Sequence, residues 1–260
     1  MASYFCMLAF AHLFLSCLES KFGMIIFYWA DKGFCMLRTF YECLIFAGHQ
    51  LKAFYQMVRG SRKVARMHKP IVTIFGGAAI GQDHEYAKQA RQLGARLVKR
   101  DVSVLTGGGP GIMEAANCGA ADGGYRKGVR SMGIGVKGLT DEKLNLCSES
   151  YISAEYFYVR KWLLMNYSSA FVIFPGGWGT IDELGEVATL IKTHKMPEHP
   201  IILFGSQYWK PFMDWVNNKA IAQGFISSDA SKLIYVTDDL DEMVEILVRC
   251  ATCDKDELSN

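Results

Sequence analysis

The chain has little excess of either charge: 28 Lys and Arg stand against 26 Asp and Glu, a formal net charge of +2. A protein that neutralises many backbone phosphates carries a larger, clustered positive excess, so no nucleic-acid partner is expected. Proline is scarce, with 6 residues against 25 glycines, which argues against a Pro-rich, unfolded chain. No apolar run reaches the ~20 residues needed to cross a bilayer. A secretory leader would need positive charge ahead of its apolar run, and none precedes Tyr4; a cytoplasmic location is the expectation. The six histidines (His12, His49, His68, His84, His194 and His199) are isolated. No His/Cys/Asp cluster has ligand spacing, so neither a metal nor a cofactor is expected. The P-loop pattern Gly-x-x-x-x-Gly-Lys-[Ser/Thr] is missing. So is the ordered Gly-x-Gly-x-x-Gly of a dinucleotide site, with Leu105-Thr106 standing where that site wants an acid. The eight cysteines are scattered, half of them in the first 43 residues. Cys250-Ala-Thr-Cys253 has C-x-x-C spacing but falls at a helix end, not at the strand-to-helix turn of a redox motif. Reduced thiols are the expected state.

What is present divides into three stretches: an apolar extension over residues 1–66, a regular α/β region over 67–250, and a short polar tail over 251–260. In the extension, Tyr4 to Leu18 carries no charge, and a second apolar patch runs from Met24 to Ala30. Three readings stand for residues 1–58: a helical layer on the core, a membrane-surface anchor, or translated upstream sequence. Membrane contact is the least favoured of them. Arg59, Arg62, Lys63, Arg66 and Lys69 then form a basic stretch. Beside an apolar segment it could meet anionic lipid, but a solvated helix face is the preferred reading.

From Ile71 onward, short apolar runs (71–75, 103–106, 131–136, 170–174, 201–204 and 233–236) alternate with amphipathic stretches near 84–100, 111–123, 156–168, 180–194, 208–223 and 239–250. Alternating β and α predicts a Rossmann-like, doubly wound, mainly parallel sheet with helices on both faces.

Three of the predicted strand ends carry glycine: Phe75-Gly76-Gly77-Ala78-Ala79, then Thr106-Gly107-Gly108-Gly109-Pro110-Gly111-Ile112-Met113, then Phe174-Pro175-Gly176-Gly177-Trp178-Gly179-Thr180. In an open parallel sheet, ligands bind where strands end and helices begin. There, backbone N–H groups and a positive helix end cradle phosphate. One such loop is as easily a tight turn, but three in one domain point to a phosphorylated ligand. Thr180 is expected to cap the helix and donate a hydroxyl. Asp182 and Glu183 are expected in its first turn, about 100° apart, one facing the ligand and the other complementing the helix dipole. Arg160-Lys161 sits on the helix that feeds the third turn, among Tyr156, Phe157, Tyr158 and Trp162. A cation held by aromatics beside a phosphate loop is a functional candidate.

Gly107-Gly-Gly-Pro-Gly-Ile-Met-Glu-Ala-Ala-Asn117, Val159-Arg-Lys161 and Pro175-Gly-Gly-Trp-Gly-Thr-Ile-Asp-Glu183 together resemble the LOG (Lonely Guy) family of cytokinin riboside 5′-monophosphate phosphoribohydrolases, often labelled lysine decarboxylases. Arg160 stands fifteen residues before Pro175, a spacing similar to the family's. The longer glycine motif resembles a larger bacterial branch that includes AMP nucleosidases. The resemblance implies catalytic roles for Arg160 and Glu183, with Glu183 reaching over the ribose. It implies substrate contacts from Lys161, Gly176, Gly177, Gly179, Thr180 and Thr189, to which the reading of the glycine turns and the helix start adds Gly76, Gly77, Gly107, Gly108, Gly109, Gly111, Met113 and Asp182 as expected substrate-binding residues. Glu142, eighteen residues before Arg160, falls where the family has a substrate-contacting glutamate, although its neighbours differ from the larger branch. The implied substrate is a nucleoside 5′-monophosphate, and the implied assembly is a homodimer or larger homo-oligomer whose neighbouring subunit completes the site. A non-catalytic nucleotide or molybdenum-cofactor carrier on the same fold is the alternative. No lysine is set as a pyridoxal-phosphate site would require, so the decarboxylase label is rejected.

Overall fold

A computed structural model describes residues 21–124, 128, 130–138, 145–227 and 233–257. The chain divides into two compact units at Phe54/Tyr55. The first helix, α1 (Lys21–Val64), is followed by β1 (Ile71–Phe75), α2 (Glu85–Lys99), β2 (Ser103–Thr106), α3 (Ile112–Asp122), β3 (Ser131–Val136), β4 (Ser150–Ala154) and α4 (Phe157–Met165). Then come β5 (Ala170–Ile173), α5 (Trp178–Lys192), β6 (Ile201–Phe204), α6 (Ser206–Trp215), a π-helical turn (Val216–Ile221), β7 (Ile234–Thr237) and α7 (Leu240–Glu257).

The seven strands form one parallel sheet in the order β4-β3-β2-β1-β5-β6-β7. The doubly wound α/β architecture read from the sequence is therefore the fold. Strand residues alternate between the two faces. Val72, Ile74, Val104, Val172 and Ile202 pack with Leu93, Leu97, Ile112, Met243 and Leu247 from α2, α3 and α7. The alternate residues are buried as well: Phe75 stacks on Phe171 with ring centroids 6.3 Å apart, and the Thr73 hydroxyl donates to Leu164 O on α4. Burial on both faces is why these strands read as continuous apolar runs.

Two local expectations change. The strand β4 was not anticipated, because Ser-Tyr-Ile-Ser-Ala is a half-exposed edge strand without an apolar run. Helix α7 continues to Glu257, so residues 251–257 are helical and not a polar tail. The second compact unit runs from Tyr55, and the last turns of α1 in it are fastened to the sheet edge. Gln56 exchanges hydrogen bonds with the Glu155 backbone and side chain, and Lys63 Nζ donates to Tyr151 O.

Helices α2 and α3 meet glycine to backbone. A Cβ on Gly119 would lie 1.8 Å from Arg91 O, and one on Gly94 would lie 2.1 Å from Ala116 O. This contact sets the height of α3, whose first turn enters the site. Gly119→Ala should force the helices apart at a cost of about 2 kcal/mol or more. A thermal melt should register it as a fall of roughly 4–8 °C in Tm.

Candidate active site

Strand order reverses at β1, which pairs with β2 on one side and β5 on the other. Crossovers leaving β1 and β5 diverge there and open a crevice at the carboxyl ends of the strands. The turn after β1 joins the other two glycine turns. Gly77 N donates to Pro175 O at 3.0 Å, and Gly77 O accepts from Ile112 N at 3.0 Å. These bonds tie the three turns together beside a cavity of about 630 Å³, lined by the first and third of them, a size suited to a small-molecule ligand.

Of the residues singled out from the sequence, Gly76, Gly77, Met113, Arg160, Gly176, Gly177, Gly179, Thr180 and Glu183 line this cavity. Helix α5 starts at Trp178 with Gly177 as its cap and no side-chain cap bond. Its first N–H groups have no intrahelical partner and mark an anion-binding end. Thr180 is therefore inside the helix rather than capping it, and Thr180 N donates to Gly177 O. Asp182 and Glu183 fall beyond the first turn, because the helix begins two residues earlier than the motif suggested.

Arg160 and Glu183 meet at the inner end of the cavity. Arg160 Nη1 lies 3.0 Å from Glu183 Oε1, with the two side chains 11% and 9% exposed. Arg160 Nε donates to Ile134 O of β3 at 2.9 Å. Burial pushes the Glu183 carboxyl up, to about 7, against the attraction of Arg160 and Lys161. A backbone carbonyl and a carboxylate hold Arg160, in place of the aromatic cage expected from Tyr156, Phe157, Tyr158 and Trp162. Of those four, Phe157 alone lines the cavity. Tyr156 stacks on Tyr158, and Trp162 meets Tyr167 edge-on.

The second glycine turn lies behind the cavity. Gly107, Gly108, Gly109 and Gly111 are buried and do not line it. A Cβ on Gly107 would sit 2.0 Å from Arg160 Nη2 and 2.7 Å from Met113 Sδ, so this glycine makes room for the arginine. Below it, Asn117 holds the turn: it accepts from Thr106 Oγ1 and Asn145 Nδ2 and donates to Ser131 Oγ. Asn145 N also donates to Gly108 O. That anchorage brings Cys147 to Cys118, and the two form a disulfide, where reduced thiols were expected.

Lys161, Asp182 and Thr189 do not line the cavity. Lys161 Nζ lies 2.5 Å from Asp182 and 2.7 Å from Glu186. Burial alone would lower its pKa, but the hydrogen bonds to Asp182 and Glu186 outweigh that and raise it. Lys161 thus ties α4 to α5, while Thr189 faces outward farther along α5. Glu142 lies outside the described residues. Sequence reasoning missed Ile80, His84, Tyr86 and Tyr208, which also line the cavity. His84 is the N-cap of α2, accepting from Tyr86 N. Tyr208 Oη donates to Gly176 O at 2.6 Å. The signal available for His84 was its position between the first glycine turn and a helix start.

Gly107→Ala tests the packing behind the ion pair. The added methyl should displace the Arg160 guanidinium, whose attraction holds Glu183 down, while leaving the backbone in place. A carboxyl NMR titration should then place the Glu183 midpoint above its wild-type value.

A family model described as "Possible lysine decarboxylase" matches residues 113–247. The chain is 29% identical over 177 residues to cytokinin riboside 5′-monophosphate phosphoribohydrolase LOG of Oryza sativa subsp. japonica, covering 66% of this chain and 70% of that protein. It is 30% identical over 186 residues to the Arabidopsis thaliana enzyme LOG3, covering 70% of this chain and 83% of that protein. Among solved structures, the X-ray structure of TM1055 superposes with a TM-score of 0.52 at 19% identity, over 70% of this chain and 99% of that one; this supports the fold. With the family model spanning half of the sequence and LOG3 aligned over most of its length, the chain belongs to the LOG family of hydrolases.

Proposed function

We propose that the protein hydrolyses the N-glycosidic bond of a nucleoside 5′-monophosphate, AMP or a cytokinin riboside 5′-monophosphate, releasing the free base and ribose 5-phosphate. The observation that carries this reading is the buried Arg160–Glu183 pair beside the open N-terminus of α5. The 5′-phosphate would sit on the amides of the Gly176–Gly179 turn, where the helix end favours negative charge. That seat puts the ribosyl carbon toward Glu183. Cleavage of the base–ribose bond develops positive charge on the sugar, and an ionised Glu183 stabilises it and accepts a proton from the attacking water; the departing base takes up one proton in turn, so that no net proton is consumed. Arg160 favours the ionised carboxylate against the effect of burial and orients the substrate, so binding energy is spent on geometry.

A pyridoxal-phosphate decarboxylase would need a lysine in the cavity for its Schiff base. No lysine lines the cavity among the described residues, and Lys161 is engaged by two carboxylates. The assembly is proposed to be a homo-oligomer. Trp178, Phe157 and Trp162 leave 88%, 53% and 38% of their surface exposed, an apolar rim that a second copy would cover. Trp178→Glu should lower the mass seen by sedimentation.

Incubation with a panel of nucleoside monophosphates should yield ribose 5-phosphate and free base. Nucleotide binding without turnover would instead favour a carrier. Glu183→Gln should cut kcat about 10²–10⁴-fold with the melting temperature retained. Because the raised carboxyl must be ionised to act, kcat/KM should rise as pH climbs through about 7 and fall away on the acid side. A Glu183→Gln variant with full activity would overturn the mechanism.

A further inference from the structure

The two ends of the cavity are fastened to different strands. At one end Arg160 donates to Ile134 O of β3 and packs against Gly107, the residue after β2. At the other, Tyr86 meets Phe204 of β6 edge-on, and a Cβ on Gly205 would lie 3.1 Å from the Tyr86 ring and from its hydroxyl. Tyr208 of α6, the helix that follows β6, reaches back to Gly176 O. Strands β3 and β6 stand four places apart in the sheet, roughly 19 Å along its edge. The N-terminus of α5 follows β5 and lies between these two ends.

A nucleotide with its phosphate on α5 and its ribose at Glu183, the seating proposed above, lies on the β3 side of the third glycine turn. The β6 side is left for whatever else that phosphate carries. His84 stacks on Tyr86 there, with ring centroids 5.4 Å apart and planes 23° from parallel. His84 is itself exposed, so a ring from the ligand can extend the stack. Arg160, at the opposite end, is the one Lys or Arg side chain lining the cavity among the described residues. Near Tyr86 stands the Asp238 carboxylate, which accepts from Ser206 N and Oγ; burial and then this charge raise the pKa of the Tyr86 hydroxyl. An uncharged aromatic wall with a carboxylate close to it is a poor seat for a further phosphate and a good one for a flat, uncharged ring. We infer that the β6 end of the cavity is a subsite for a heterocyclic ring joined to the nucleotide through its 5′-phosphate, as in a dinucleoside monophosphate, with that ring stacked on His84. The inference rests on the phosphate seat at α5 and is independent of the hydrolytic step.

Titration calorimetry on the full chain carrying Glu183→Gln, which keeps the ligands from being consumed, tests this with two probes of equal charge. One is adenylyl-(3′→5′)-adenosine, and the other is the methyl ester of AMP, which has the same phosphodiester without a second ring. The dinucleotide should bind more tightly by about five- to a hundredfold, the worth of stacking one base on an aromatic side chain. Adding His84→Asn removes the ring but keeps a good N-cap for α2. It should bring the two ligands to equal affinity at an unchanged melting temperature. Equal affinities before that substitution, or a preference that survives it, would overturn the inference. Equal affinities in a chain whose parent hydrolyses AMP would sink the subsite and leave the hydrolase reading standing. A preference for the dinucleotide in a chain whose parent releases no base from AMP would support the subsite and remove the hydrolase reading. If neither probe binds, the phosphate seat is wrong and the subsite falls with it.

Discussion

The Arg160–Glu183 ion pair holds two charges almost out of water, and that placement constrains what surrounds it. Taking each charge out of solvent is costly, and the pair repays this only where geometry and further hydrogen bonds satisfy the remaining donors and acceptors. Ile134 O on β3 supplies one such bond to Arg160. Gly107 supplies space, because any side chain there would occupy the position of the guanidinium. Lys161, one residue on, ties α4 to α5 through Asp182 and Glu186 and so fixes the distance between the helix that carries the arginine and the helix that carries the glutamate. The adjacent basic residues thus have different tasks. Arg160 faces the cavity, and Lys161 holds the two helices that define it.

The floor of the cavity follows from the reversal of strand order at β1. Because β1 lies between β2 and β5, the turns that leave these three strands end side by side. Gly77 bonds to Pro175 at the start of the third turn and to Ile112 just after the second. The first and third glycine turns thereby become one rigid surface in which backbone amides, and not flexible side chains, present positive charge to the cavity. Such amides pay no reorganisation when negative charge arrives, which is the condition for strong electrostatic stabilisation. The same low-polarity surroundings that strengthen this field also drive the Glu183 carboxyl up to about 7, where a small change of environment shifts its protonation.

The α/β architecture was legible because burial on both sheet faces leaves continuous apolar runs in β1, β2, β3, β5 and β6, and the edge strand β7 is apolar enough to show as well. The edge strand β4 escaped because a half-exposed Ser-Tyr-Ile-Ser-Ala segment looks like loop. At the site, the glycines and the Arg160/Glu183 pair were legible as motifs, since close backbone approach and charge pairing restrict residue type. Which glycines touch the cavity was not legible. The turn after β2 resembles a phosphate loop in sequence, yet it serves as a shelf behind Arg160, and only packing distinguishes the two. Lys161 and Asp182 were drawn into the candidate site by sequence proximity, whereas helical geometry turns both away from it. Tyr208 comes from a distant segment that nothing local marks, whereas His84 stands at the helix start that follows the first glycine turn. The Cys118–Cys147 disulfide joins residues 29 apart, brought together by the hydrogen bonds of Asn145.

Two buried polar clusters stand close together in this fold, and the contrast between them separates support from chemistry. Asn117 sits in a neutral network in which Thr106, Ser131 and Asn145 use its donors and acceptors. A satisfied neutral network rigidifies its surroundings and has little left to offer a ligand. Arg160 and Glu183 face an open cavity with one hydrogen bond between them, and a guanidinium has five N–H donors to distribute. That spare capacity is aimed at the space beside the α5 N-terminus, where an anion is favoured. A carboxylate near its midpoint, a guanidinium with donors to give and an anion seat within one cavity form an arrangement that is costly for stability alone. The proposed nucleotide would take up those unused bonds.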